Sequence, residues 1–125
     1  MTAAPVSIAQ RALLADAIAL MQEHSVRHLP VLDGEVPVGI VSERDLAIAG
    51  GLVPDAWETL SVAEAMTPEP YTVRADTPVA QVARRMAEHH YGAVLVIDDA
   101  DQMVGLFTTT DALLVLAASG GDEHS

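Results

Sequence analysis

Gly39-Ile40-Val41-Ser42-Glu43-Arg44-Asp45 leaves an apolar run, meets a hydroxyl and reaches an aspartate three residues later. Gly105-Leu106-Phe107-Thr108-Thr109-Thr110-Asp111 does the same near the other end of the chain. Each reads as a strand passing into a helix, with Ser42 or Thr108 at the N-cap, where a hydroxyl satisfies free amides. The aspartate then falls in the first turn of the helix. Taken singly, either stretch is an ordinary capping arrangement. Two of them raise the question of whether the whole chain is repeated.

It is. When the chain is moved along itself so that Met1-Thr2 falls on Met66-Thr67, Pro5-Val6-Ser7-Ile8 falls on Pro70-Tyr71-Thr72-Val73. Without a gap, Met21 lands on Met86, Glu23 on Glu88, His24 on His89, Val31 on Val96 and Asp33 on Asp98. One extra residue in the second copy follows, and then Gly39 lands on Gly105 and Asp45 on Asp111. The insertion falls in a turn, where insertions are tolerated. Copy one is expected over residues 1–50, a linker over 51–60 and copy two over 61–118, with a disordered polar tail over 119–125. Gly50-Gly51 is expected to stop a helix, and Val53-Pro54-Asp55 reads as a turn.

Each copy has the same plan. A short strand (Pro5 to Ile8; Tyr71 to Val73) leads to a helix with apolar residues at helical spacing: Leu14, Ala17, Ile18 and Met21, then Val79, Val82, Ala83 and Met86. Asp76-Thr77-Pro78 places a capping hydroxyl before a proline at the first helical position, whereas Gln10-Arg11-Ala12 is a weaker cap. A hairpin follows, His28 to Leu32 and Pro37 to Val41 about Asp33-Gly34-Glu35, repeated as Ala93 to Ile97 and Met103 to Phe107 about residues 98–102. Helices over Ser42 to Ala49 and Thr108 to Ala118 close the copies. A β-α-β-β-α unit of about 50 residues is too small to stand alone, so two should pack sheet to sheet.

The chain has 125 residues, 18 acids against 6 bases and a formal charge of −12; every base is arginine. Such a field repels nucleic acid and anionic membrane surfaces, which recruit clustered positive charge. An anionic ligand would have to rely on the few arginines or on backbone amides. Without cysteine there are no disulfides or thiolate metal sites. No apolar run is long enough to span a membrane and no signal peptide is visible, so the expected setting is the cytoplasm.

The duplicated β-α-β-β-α order resembles the cystathionine-β-synthase-type (CBS) domain pair. Arg27-His28-Leu29-Pro30-Val31 looks like that family's second-strand signature, and the two Gly-to-Asp stretches look like its ligand motif. The resemblance covers all but the tail and part of the linker. It implies an α/β fold of two CBS repeats related by a pseudo-two-fold, with helices outside, and two clefts between the repeats. Family members commonly form dimeric discs of four such units, and Ala47, Ile48, Leu52, Leu113, Leu114 and Leu116 are the candidates for a homodimer face.

A helix start carries unpaired N–H groups and a positive dipole end, which suits a phosphate. Asp45 and Asp111 can point back toward the same place and accept from a ribose diol, as acids do in dinucleotide folds. The resemblance implies that the backbone of Arg27, His28, Leu29 and Pro30, and of Gly92, Ala93 and Val94, flanks an adenine. Ser7 and Thr72 on the first strands, and Ser42 and Thr108 at the caps, are further contacts. Arg27 and Arg44 are the cations for phosphate in copy one. Copy two has Gly92 for Arg27, Leu95 for Pro30 and Thr110 for Arg44, so it should favour less charged ligands or bind them more weakly.

The expected function is a stand-alone regulatory module that binds AMP, ADP, ATP or S-adenosylmethionine and signals to a partner protein whose identity the sequence does not give. No cofactor, metal or catalysis is expected: there is no nucleophile elbow, no Walker-type loop and no metal-ligand spacing among the histidines. The alternatives are a structural dimerisation module without a physiological ligand and, less favoured, a metal-responsive module using His24, His28, His89 and His90.

Overall fold

The computed structural model of the chain describes residues 2–3, 6–68, 71–114 and 117. Strand β1 is Thr2–Ala3 and β2 is Ile8–Ala9; helix α1 (Leu14–His24) leads to β3 (His28–Asp33), β4 (Val36–Ser42) and helix α2 (Glu43–Leu52). Short helices α3 (Ala56–Thr59) and α4 (Val62–Ala65) precede β5 (Thr67–Pro68) and β6 (Thr72–Arg74). Helix α5 (Val79–His89), β7 (Ala93–Ile97) and β8 (Met103–Thr108) follow, and residues 109–114 are helical. The expected tail, most of the end of the last helix, Pro5 and the side chain of Leu116 lie outside the described residues.

The fold is α/β. Two compact units divide the chain, an N-terminal unit of residues 5–70 and a C-terminal unit of residues 1–4 and 71–125. Each carries one four-stranded mixed sheet, ordered β2-β3-β4-β5 in the first and β6-β7-β8-β1 in the second. The opening pair is parallel in both, because a helix crosses back between its strands, and the remaining pairs are antiparallel.

The duplication holds at the level of register. Val31 pairs with Gly39 and Val96 with Gly105, and both ladders then shift register, between Val31 and Leu32 and between Val96 and Ile97. The extra residue lies in the second hairpin loop, where the Asp98 carboxylate accepts from the amides of Ala100 (2.9 Å) and Gln102 (3.0 Å). In the first loop Gly34 takes a φ of +64°, a conformation that glycine adopts without a side-chain penalty. Helices α1 and α5 both end on a left-handed residue at the same repeat position, Ser25 (φ 54°) and His90 (φ 58°).

Each sheet is finished by a strand that the duplication assigns to the other copy. Thr2–Ala3, the start of copy one, pairs with Leu106 and Gly105 of β8, while Thr67–Pro68, the start of copy two, pairs with Ile40 and Gly39 of β4. The Met66 side chain and the Thr67 carbonyl press so closely on Gly39 that no Cβ would fit there.

In the N-terminal unit, Leu14, Ala17 and Met21 of α1 pack on Leu29, Val31 and Val41 of the sheet, with Leu46, Ala56 and Val62 completing the core. The C-terminal core is smaller, built from Val73, Val82, Ala83, Met86, Val94, Val96, Phe107 and Ala112. Small aliphatic side chains thus do the packing, as the scarcity of aromatics requires.

The structure corrects several local expectations. Helix α2 does not stop at Gly50-Gly51 but runs to Leu52, and the Trp57 ring lies 2.6 Å from where a Cβ on residue 50 would sit. That glycine is present for close approach, and continuing the helix costs only its propensity. The first strands lie later than expected, so Val6 and Ser7 precede β2 and Tyr71 precedes β6. Thr77 is not the cap of α5: Pro78 itself is the N-cap, extended at ψ 131°, and no side chain bonds to that helix start. The N-cap of helix α1 is Leu13, whose amide donates to Asp16 Oδ2 at 3.1 Å, so the acid three residues on does the capping that Gln10-Arg11-Ala12 lacks. Residues 51–60 include the short helix α3, whose Ala56 is buried.

Candidate functional site

Strand β4 delivers Ser42 to the start of α2, and β8 delivers Thr108 to the start of the last helix. In the N-terminal unit the Ser42 hydroxyl accepts from the Asp45 amide (3.0 Å), and Asp45 Oδ2 accepts from the Ser42 amide (2.9 Å). The C-terminal unit repeats this with a different use of the hydroxyl. Asp111 Oδ2 accepts from the Thr108 amide (2.9 Å) and from its hydroxyl (3.2 Å), while the return bond from the Asp111 amide is long, at 3.5 Å.

A second tie fixes each helix start against the hairpin. The Glu43 amide donates to the Arg27 carbonyl (2.9 Å), and the Thr109 amide and hydroxyl both donate to the Gly92 carbonyl (3.1 Å each). His28 faces Ser42 across the ladder, and Ala93 faces Thr108. In each unit, then, the hydroxyl, the aspartate and the backbone before the hairpin's first strand are brought together: Arg27 and His28 with Ser42 and Asp45, Gly92 and Ala93 with Thr108 and Asp111.

Other expected contacts serve less directly. Leu29, Pro30 and Val94 are buried in the sheets. Arg27 and Arg44 are exposed beside the first helix start. Ser7 is half-buried just ahead of β2, and Thr72 is exposed on β6. His28 is held below its ordinary pKa, mainly by burial; the Asp45 carboxylate opposes this shift and Arg27 adds to it.

The capping geometry alone does not mark a site. The Ser61 amide and hydroxyl both donate to Glu64 (2.8 and 3.2 Å) at the start of α4, with no ligand motif attached. What distinguishes Ser42 and Thr108 is the further tie of their helices to Arg27 and Gly92. Among the described residues, no three His, Asp or Glu side chains are grouped to hold a metal ion.

Three features of the C-terminal unit were not read from the sequence. Tyr91 stacks on Tyr71 (centroids 5.0 Å apart, planes at 24°) and on His89 (5.4 Å), directly beside Gly92. The pairing of Tyr71 and Tyr91, where copy one has Val6 and Val26, was the available signal. Arg74 donates to the Asp98 carbonyl (3.1 Å) and to Asp101 (3.4 Å), clasping the acidic hairpin loop. A cavity of about 270 Å³ opens among Val73, Thr77, Val79, Val82, Val96, Phe107 and Leu114, with Arg74, Ala75 and Asp111 also lining it. Of the expected site residues it includes only Asp111.

The family model that matches this chain is that of the CBS domain, over residues 1–50 and 62–118. The chain is 30% identical over 109 residues to L-aspartate semialdehyde sulfurtransferase of Methanocaldococcus jannaschii, covering 86% of this chain and 20% of that protein. The next curated relatives are also much longer, and the chain spans about a fifth of each. Among solved structures, the CBS domain pair of protein MJ0100 in complex with 5′-methylthioadenosine and S-adenosyl-L-methionine has a TM-score of 0.83 and 26% identity, covering 95% of this chain and 93% of that one. CBSX2 of Arabidopsis thaliana in complex with AMP has a TM-score of 0.74 and 25% identity, covering 91% and 88%. Among the described residues, no helix is long and apolar enough to cross a membrane.

Proposed function

The chain belongs to the CBS domain family, and on that premise we propose that it is a regulatory module that binds an adenine nucleotide at the Ser42/Asp45 and Thr108/Asp111 helix starts. The observation that carries this reading is the mirrored constellation, in which hydroxyl, aspartate and pre-strand carbonyl recur in both units with the same partners. The solved relatives that hold AMP, or S-adenosylmethionine with methylthioadenosine, support the ligand class.

Asp45 uses Oδ2 for its cap, so Oδ1 is the atom offered to a ribose hydroxyl. Arg27 and Arg44 make the N-terminal site the one suited to phosphate. In the C-terminal site Gly92 and Thr110 replace them, so that site favours uncharged or cationic nucleosides such as S-adenosylmethionine. The role is non-catalytic, and the output is a change felt by a partner protein. Ile48, Leu52, Leu113 and Leu114, exposed between 56% and 76%, support a homodimer as the signalling form.

Thermal unfolding against AMP, ADP, ATP and S-adenosylmethionine tests the reading. A true ligand at about a hundred times its Kd stabilises the chain by about 2.7 kcal/mol, several degrees for a domain of this size. Asp45→Ala or Asp111→Ala should abolish the shift. Stability indifferent to all four nucleotides would leave a structural dimerisation module as the function.

A further inference from the structure

One titratable side chain of the N-terminal site has no counterpart in the other unit. His28 and Ser42 are cross-strand partners in the β3–β4 ladder, and Ala93 and Thr108 are the equivalent pair. Side chains directly opposite each other leave the same face of a sheet, with Cβ atoms about 5 Å apart. The imidazole therefore stands beside the hydroxyl that caps α2, and Asp45, bonded to that same serine, lies in the first turn. In the C-terminal unit a methyl group takes its place.

His28 is half-buried, yet among the described residues its ring makes no hydrogen bond, and neither nitrogen is shut away from solvent. Two charges act on the ring in opposite directions. The Asp45 carboxylate, from α2, favours the imidazolium, and Arg27, next to it in the chain, disfavours it. Glu43 and Arg44, the other charged groups of that helix turn, are exposed. With the two fields opposed, burial decides the balance and keeps the ring neutral above pH 6.5. A phosphate at the start of α2 would reverse it, because an anion within about 4–6 Å raises a histidine's pKa by about 1–3.

We propose that His28 couples nucleotide binding at the N-terminal site to protonation: a 5′-phosphate seated at the start of α2 draws a proton from solvent onto the imidazole, which then donates to it. The inference rests on the reading of that helix start as an adenine-nucleotide site, and adds a selectivity that pH sets. Phosphorylated nucleotides gain affinity as the pH falls, up to about tenfold for a rise of one in the histidine's pKa. Adenosine, with no phosphate, gains nothing. The C-terminal site, with Ala93 in that place, is indifferent to pH over the same range. One chain then carries an acid-responsive site and an unresponsive one.

Titration calorimetry of the full chain with AMP tests this, in an Asp111→Ala background that silences the C-terminal site. Between about pH 8 and pH 5.5 the affinity is expected to rise about threefold to tenfold more with His28 present than in His28→Gln. The nucleotide's own phosphate titrates at about pH 6, but it is common to both chains and cancels in that difference. Heats compared in two buffers of unlike ionisation enthalpy, at about pH 6.5, should show more proton uptake with His28 than with His28→Gln. His28→Arg, charged throughout, should flatten the slope while still preferring AMP to adenosine. Equal slopes with and without His28 overturn the proposal and leave the nucleotide reading intact, and so does a slope for adenosine equal to that for AMP. A chain that binds no nucleotide at any pH fails that reading, and this proposal with it.

Discussion

Leu14 and Val79 occupy the same position in the two repeats, yet Leu14 is fully buried and Val79 is 46% exposed. Leu60 and Val62 pack over the first: the Leu14 amide donates to the Leu60 carbonyl, and Val62 is part of the core around Leu14. Leu14→Ala should therefore cost about 2–5 kcal/mol, as a core truncation does, and Val79→Ala no more than about 0.5 kcal/mol. Urea unfolding followed by circular dichroism measures both, and equal costs would mean that Val79 is covered in solution.

Gly50 and Gly51 should respond in opposite directions to alanine. A Cβ on Gly50 meets the Trp57 ring at 2.6 Å, whereas one on Gly51 meets nothing within 4 Å. Gly50→Ala is expected to destabilise by about 1–3 kcal/mol through overpacking. Gly51→Ala, inside α2, should stabilise by about 0.5–1 kcal/mol by narrowing the unfolded ensemble. Paired denaturation midpoints decide it; a stabilising Gly50→Ala would show that Trp57 can move aside.

Ser42 caps α2, and its loss is expected to cost about 0.5–2 kcal/mol whether or not a ligand binds. Arg27→Ala and Arg44→Ala should leave that stability nearly unchanged. They should weaken ATP about tenfold and adenosine little, because charge-assisted bonds to phosphate are the strong ones. Titration calorimetry separates these effects. Equal losses of ATP affinity in Asp45→Ala and Asp111→Ala would remove the case for unlike sites.

His28 gives stability a direction with pH. Burial is the main reason its pKa lies below the ordinary 6.5; Asp45 opposes the shift and Arg27 reinforces it. As the pH falls through 6.5 the unfolded chain takes up this proton first, so stability drops until the folded His28 is protonated as well. His28→Gln should flatten that flank of the profile in urea midpoints between about pH 7.5 and pH 5. An unchanged slope would assign it to other groups.

The repeat, both hairpins and the two capped helix starts were legible because each is a pattern in one dimension: a register, a period or a spacing. The aspartates were found because a hydroxyl followed by an acid at the third residue has one local geometry. What escaped depends on neighbours distant in sequence. Gly50-Gly51 reads as a helix stop until Trp57 is seen against it. Thr2–Ala3 and Thr67–Pro68 are too short to show alternation, so nothing in them announces which hairpin they join. The cover over Leu14 comes from Leu60 and Val62, far along the chain, and nothing in the sequence pairs them with α1.

The crossing of β1 and β5 to each other's hairpins means that each sheet is completed by residues from the other repeat. A chain cut at the boundary of the duplication would leave each half with a strand that belongs to the other sheet and an unfilled edge beside β4 or β8. The two halves, mixed as separate chains, would have to exchange these strands to rebuild both sheets, and the covalent link replaces that concentration-dependent encounter with one at an effective concentration of roughly millimolar.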